Sequence, residues 1–499
     1  MMNKTLWQLC LLLGGVIFSF YFVMGAGVPP PTGPDIIFVR IPAAAKPSSP
    51  SMTTQLPWDR YVDGCQIVCF SLSDTRGEAV PLTAEFLSAR DPAVSFDGQK
   101  ILFAGKQRKG ESWQIWQMDG SGGNKIQITR GNSDSVSPLY VGSLFHLDDK
   151  APTRKIVYQG GNHLYTCDLD GKNPQRITYN LYPEFAPDVL PNGRIIFSSL
   201  KNNGLEKTLD LLAVNIDGTD LMGYLTGLDV PGDKEMVRIS RDGRIYFIQS
   251  DLSEWLGGGS LAYVSSRRPA HSYNVFTPGE NGYYHSPCPL PDGGLIVSYR
   301  SKKKGSLYGL KIIKSFCGGS RGAVFSKRAP LAAGGKYHCV DAQVLGPHPA
   351  VKGRSSFVDH NRDTGIFYCI SVYISDRPEV KQPAYGSIER VRVLEGLFSK
   401  REAVEGHRIL GTAPVEPDGS FHIRVPAKTP LAFQLLDKEG KVIFSQHSWT
   451  WVMPRESRGC IGCHEDRESA PPNQLPQAII KPAVQPTCKS EQRQTKGDR

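Results

Sequence analysis

From about residue 90 onward, short runs of alternating apolar and polar residues break repeatedly at Asx-Gly pairs. The unit appears as DPAVSFDGQKILFAG around Asp97-Gly98, PDVLPNGRIIFSS around Asn192-Gly193, VRISRDGRIYFIQS around Asp242-Gly243 and CPLPDGGLIVSYR around Asp292-Gly293. The Asx residues are 95, 50 and 50 positions apart, so the first gap predicts a degenerate copy near 145, where LFHLDDKAPTRKIVYQG (144–160) lies. A second element fills the other half of each unit: IWQMDGSGGNKIQIT (115–129), LYTCDLDGKNPQRIT (164–178) and LAVNIDGTDLMGYLT (212–226). Asx-Gly between alternating runs signals a hairpin, because both residues tolerate the positive φ that tight primed turns need.

Two hairpins per unit make four strands, and four-stranded units repeating every 40–50 residues describe a β-propeller. A weaker copy at HCVDAQVLGPH (338–348), with TGIFYCISVYIS (364–375) as its later strand, brings the count to about six blades. The early strand DIIFVRIP (35–42) is placed to close the ring by completing the last blade. After Pro383 the period stops, and turns at Pro417-Asp418-Gly419 and Lys438-Glu439-Gly440 join short strands suited to a small β-sandwich.

The fold class is therefore all-β: an approximately six-bladed propeller followed by a β-sandwich module. The expected divisions are a signal peptide or N-terminal anchor over 1–27, a linker with the ring-closing strand over 28–60 and the propeller over 61–383. The module follows over 384–470, then a disordered Pro/Gln/Lys-rich tail over 471–499. Gly 51 and Pro 37 in 499 residues suit a turn-rich β protein.

The amino terminus changes the setting. Lys4 precedes an apolar run to about Met24, and Gly25-Ala26-Gly27 offers a cleavage site, the pattern of an export signal. The run is also long enough for residues 5–24 to act as a membrane tether. Either way the rest of the chain is expected in the periplasm or another extracytoplasmic compartment, where disulfides are allowed. The net charge of +10 is spread along the chain; Lys302-Lys303-Lys304 and the tail read as solvated, and no nucleic-acid partner is expected.

One motif carries chemistry. Cys460-Ile461-Gly462-Cys463-His464 is a C-x-x-C-H, in which two thiols can each form a thioether with a haem vinyl group while the adjacent His ligates iron. With 11 Cys and 11 His in the chain, chance would supply roughly 0.005 such motifs. Half of a zinc site, a thioredoxin-like redox pair and a disulfide are the competing readings. Met453, His447, His271, His285 and His338 are candidates for a distal iron ligand, each with an ordinary packing role as its alternative. Trp449 and Trp451 are expected to pack on the haem or the sandwich. Cys65, Cys69, Cys317, Cys339 and Cys369 are candidates for disulfides that sequence does not pair. Walker-type and H-E-x-x-H motifs are absent, so a nucleotide reading has no support.

The repeats over roughly 85–310 resemble those of TolB-like periplasmic propellers. The string SWTWVMPRESRGCIGCHEDRE, with GTAPVEPDGSF before it and a propeller upstream, resembles the hydrazine synthase alpha subunit middle-domain family over about 35–470. That resemblance implies one covalent haem c, with thioethers at Cys460 and Cys463 and His464 as proximal iron ligand. Two departures stand out. The family carries a second C-x-x-C-H in a further domain, of which this chain holds no copy, and Glu468 stands where hydrazine synthase has an iron-ligating Tyr. Hydrazine synthesis itself is therefore not implied. The function expected is an exported c-type haem protein serving periplasmic electron transfer with redox partner proteins. The alternatives are a propeller binding scaffold and a haem enzyme with an open iron site for a small nitrogen- or oxygen-containing ligand.

Overall fold

The computed structural model describes residues 35–45, 60–72, 78–147, 149–202, 207–226, 230, 232–250, 255–275, 282–314, 324–325, 335–375, 383–399, 404–446, 448–462, 470 and 473–487. Strands account for nearly all of its regular structure, with a short 3₁₀ turn at Pro269–His271. No helix among them is long and apolar enough to cross a membrane; the predicted export signal lies outside them.

The strands assemble into six four-stranded blades. Blade 1 is Ser88–Val94, Lys100–Lys106, Gln114–Asp119 and Ile126–Gln127, and blade 2 is Ser135–His146, Thr153–Gly160, His163–Asp168 and Gln175–Arg176. Blade 3 comprises Glu184–Val189, Ile195–Asn202, Lys207–Val214 and Met222–Leu225. Blades 4 and 5 begin at Asp233–Ile239 and Gly282–Pro289 and share one bridge, Gly259 to Tyr284. Blade 6 is built from both ends of the propeller sequence: Tyr337–Leu345 pairs with Asp35–Pro42, which pairs with Gln66–Ser71 and then Val80–Pro81. The ring closes because Ile36, Ile37, Phe38 and Val39 are fully buried only between those neighbours.

The Asx-Gly hairpins differ in detail from primed turns. Only the glycine has positive φ, at Gly98 (74°), Gly193 (84°), Gly243 (82°) and Gly293 (85°); the Asx before it does not. In each case the glycine N–H bonds back three residues, as from Gly98 to the Ser95 carbonyl at 2.8 Å, which is a type I turn completed by a left-handed glycine.

Every first strand of a blade carries a bulge whose central residue has positive φ without being glycine: Asp91, Ser137, Ala186, Met236, Ser286 and Asp341. Such a residue costs about 1–2 kcal/mol, so six equivalent copies mark a built feature of the ring. Proline follows in four of them, at 92, 138, 187 and 287, where its missing N–H costs no ladder bond.

Two expectations are corrected. Strand Thr364–Cys369 does not belong to a blade: it pairs with Phe421–Pro426 and, in parallel, with Ser457–Cys460, so the module begins near 364 rather than 384. The blade it was expected to complete is filled instead by the N-terminal strands. The module's other sheet is Val404–Pro414, Arg390–Ser399, Leu431–Leu436 and Val442–Ser445. Part of the supposedly disordered tail is also ordered. Val484 exchanges backbone bonds with the strand Phe421–Pro426 and Thr487 with Thr412, and Ala478 is buried. The Pro/Gln-rich composition hides this short apolar strap. Between ring and module, Arg354–Ser356 adds in parallel to the first strand of blade 2.

Candidate functional site

The segment leading into the C-x-x-C-H motif is the most heavily pinned stretch of the module. Trp451 is buried with Met453 among Val141, Leu144, Val157, Ile177 and Ile216 of blades 2 and 3. Its indole N–H donates to the Gly218 carbonyl at 3.1 Å, and its ring meets Tyr179 edge-on at 6.2 Å. Gly218 has φ 86°, and a Cβ there would press on Met453 at about 3 Å, so only glycine gives both the turn and the space.

Glu456 fixes the approach from both sides. One carboxylate oxygen accepts the Asp220 N–H of blade 3 at 2.7 Å, and the other accepts the Met453 N–H at 2.6 Å. Burial pushes this carboxyl up to about 7, against the pull of the two amides and the nearby Arg458. Arg458 donates to Thr450 Oγ1 at 2.6 Å, to the Trp451 carbonyl at 3.1 Å and to the Leu221 carbonyl of blade 3. Ser457–Cys460 then runs parallel to Thr364–Cys369, with Cys460 in register with Cys369.

This frame delivers Cys460 half-buried at the end of a fixed strand. Two glycines permit it: a Cβ on Gly459 would meet the Tyr368 ring at 2.4 Å, and one on Gly462 would meet the Ile374 carbonyl oxygen at 2.3 Å. Cys463 and His464 lie outside the described residues, as do His447, Cys317 and Glu468. Cys460, half-buried against the module core and fixed on its strand, is the one member of the motif's two thiols and imidazole among the described residues. Among the described residues no group of three or more His, Cys, Asp or Glu side chains converges as a metal site.

The other candidates are placed elsewhere. Met453 is 1% exposed in the seam with the propeller, a packing position. Trp451 packs on the propeller rather than on the sandwich. His285 and His338 are buried in blades 5 and 6 around Tyr308, across the ring from the seam, and His271 is exposed in the 3₁₀ turn of blade 4. Cys65 and Cys69 are free thiols. The sequence reading missed Glu456 and Arg458, whose only signal was two charged residues beside an apolar Trp-rich run.

Six blades closed by an N-terminal strand, with a sandwich module latched to blades 2 and 3 and carrying a C-x-x-C-H in its sequence, define a propeller protein with an appended β module. Residues 386–465 match the family described as hydrazine synthase alpha subunit middle domain. The hydrazine synthase subunit alpha of Kuenenia stuttgartiensis is 26% identical over 566 residues, covering 90% of this chain and 68% of that protein. The solved Kuenenia stuttgartiensis hydrazine synthase superposes with a TM-score of 0.74 at 22% identity, over 90% of this chain and 71% of that one. TolB from Acinetobacter baumannii gives a TM-score of 0.41 at 15% identity, over 64% of this chain and 68% of that one. The chain is a relative of the hydrazine synthase alpha subunit.

Proposed function

We propose that this chain is an exported c-type haem protein acting as an electron-transfer component in periplasmic redox chemistry. The observation that carries the reading is the C-x-x-C-H that begins at Cys460 on a strand latched to the propeller through Trp451, Glu456 and Arg458. Cys460 and Cys463 would hold one haem by thioethers and His464 would ligate its iron. The haem supplies one-electron cycling of iron, with its potential set by burial and hydrogen bonding around it.

The chain's own residues contribute position. Glu456 and Arg458 tie the attachment strand to blade 3, so the haem would be held at a fixed place relative to the propeller rather than on a loose tail. The seam packed by Trp451 and Met453 excludes water from the strand's approach. The propeller would supply the surface that a redox partner reads. Relatedness to a hydrazine synthase subunit supports nitrogen redox metabolism as the setting.

The test is a reduced-minus-oxidised spectrum of protein expressed with a cytochrome c maturation system. A haem band that survives acid-acetone extraction supports the reading, and its absence rejects it. A low-spin ferric spectrum unaffected by cyanide favours electron transfer. A high-spin spectrum that shifts on adding cyanide points to an open iron site instead.

A further inference from the structure

The propeller axis holds a buried polar cluster that does not depend on the haem reading. Residues 60–65 run into the ring. The Arg60 guanidinium forks onto Glu235 of blade 4 at 2.8 and 3.1 Å, and Arg90 of blade 1 faces Asp341 of blade 6 at 3.4 Å. The Tyr61 hydroxyl donates to Asp91 Oδ2 at 2.6 Å, and the same oxygen accepts the Ser137 N–H at 2.9 Å. Asp91, Ser137, Ser286 and Asp341 are four of the six bulge residues, so the strained backbone of the inner strands aims these groups at one another.

Within this cluster His285, Ser286 and Asp341 form a chain. The His285 Nε2 lies 3.0 Å from the Leu256 carbonyl oxygen, which can only accept, so Nε2 carries a hydrogen. The His285 Nδ1 is hydrogen-bonded to Ser286 Oγ, and that oxygen lies 2.5 Å from Asp341 Oδ1. A serine hydroxyl has one hydrogen. With a bare Nδ1 and an ionised Asp341, that hydrogen would face two acceptors, and one short contact would set lone pair against lone pair. One further proton satisfies every contact: Nδ1–H donates to Ser286 Oγ, and Ser286 O–H donates to Asp341.

We propose that His285, Ser286 and Asp341 form a proton-binding site on the propeller axis, with the proton resting on the imidazole and Ser286 relaying it to and from the Asp341 carboxylate. In the relay, the Nδ1–H bond breaks as the proton passes to Ser286 Oγ while the hydroxyl proton passes to Asp341 Oδ1, and no charge leaves the cluster.

The surroundings agree with this placement. The Arg90 guanidinium beside Asp341 favours its ionised form. Asp91 receives the Tyr61 hydroxyl and the Ser137 amide, as an ionised carboxylate does. Two guanidiniums and one imidazolium then balance the carboxylates of Asp91, Glu235 and Asp341. Arg238 has its own partner, Asp188, at 3.7 Å. Tyr61 and Cys65 stay neutral because burial pushes both upward, and the ring of Tyr308 packs on the imidazole at 5.3 Å. The opposing forces are burial, the largest, and the positive charges of Arg60 and Arg90, which lower His285; burial also pushes Asp91 upward.

The experiment is nitrogen-15 NMR of the full chain labelled at histidine, at pH 7, with the His285 signal identified by its absence from a His285→Gln variant. Two protonated ring nitrogens that titrate only above pH 7 are expected. Asp341→Asn and Ser286→Ala should each lower that titration by about 2 units or more. A neutral His285 at pH 7 with a bare Nδ1 overturns the proposal, as does an imidazolium signal that Asp341→Asn leaves unchanged.

Discussion

Across the seam between propeller and module, the indole of Trp451 donates to the carbonyl of Gly218 at 3.1 Å, joining the approach to the C-x-x-C-H motif to a turn of blade 3. The two residues are 233 positions apart in sequence. The same turn offers the Asp220 amide to Glu456, so one blade turn and one strand entry hold each other.

Glu456→Ala should leave the amides of Met453 and Asp220 buried without partners, each costing about 1–3 kcal/mol. We expect a lower denaturant midpoint and faster proteolytic cleavage near 455–462. Unchanged stability and cleavage would mean that Glu456 does not latch the module.

The same carboxyl gives stability a pH dependence of definite sign. Its folded value of about 7 lies above the ordinary 4.5, so between these values the folded state holds a proton the unfolded chain has lost. Its contribution is therefore full at low pH and falls as pH rises toward and through 7. Denaturant unfolding from pH 5 to 8 should show the decline, and Glu456→Gln should flatten it.

Gly462→Ala should lower covalent haem occupancy, because the added Cβ would sit 2.3 Å from the Ile374 carbonyl oxygen and push the chain after Cys460 away from it at Gly462. Gly131→Ala, where nothing lies within 4 Å, is the control. Haem-stained gels of the two variants read the difference directly.

Ring closure rests on the N-terminal strand. Phe38 is fully buried in blade 6, so Phe38→Ala should cost about 3–5 kcal/mol. Since the strand joins both ends of the propeller, loss should appear as one cooperative unfolding transition at lower temperature, not as fraying of an end.

The blade count and the ring-closing role of residues 35–42 were legible because period-two alternation and turn glycines are local signals. The bulges were half legible: proline after the bulge at 92, 138, 187 and 287 appears in the repeat, but positive φ at Asp91 or Met236 follows from the ring's geometry. Strand Thr364–Cys369 was misplaced because its alternation does not reveal its partner, which lies some ninety residues onward in Ser457–Cys460. The strap ending at Thr487 was hidden by proline and glutamine. For the site, the motif was explicit, whereas Glu456 and Arg458 gain meaning only from the carbonyls and amides of blade 3, far away in sequence.

The central claim is covalent haem at Cys460 and Cys463, and intact mass measurement of the full chain tests it most directly. Expressed with a cytochrome c maturation system, the protein should gain the mass of one haem after denaturation, and Cys460→Ser with Cys463→Ser should abolish the gain. A wild-type chain that carries no added haem mass under those conditions would contradict the account.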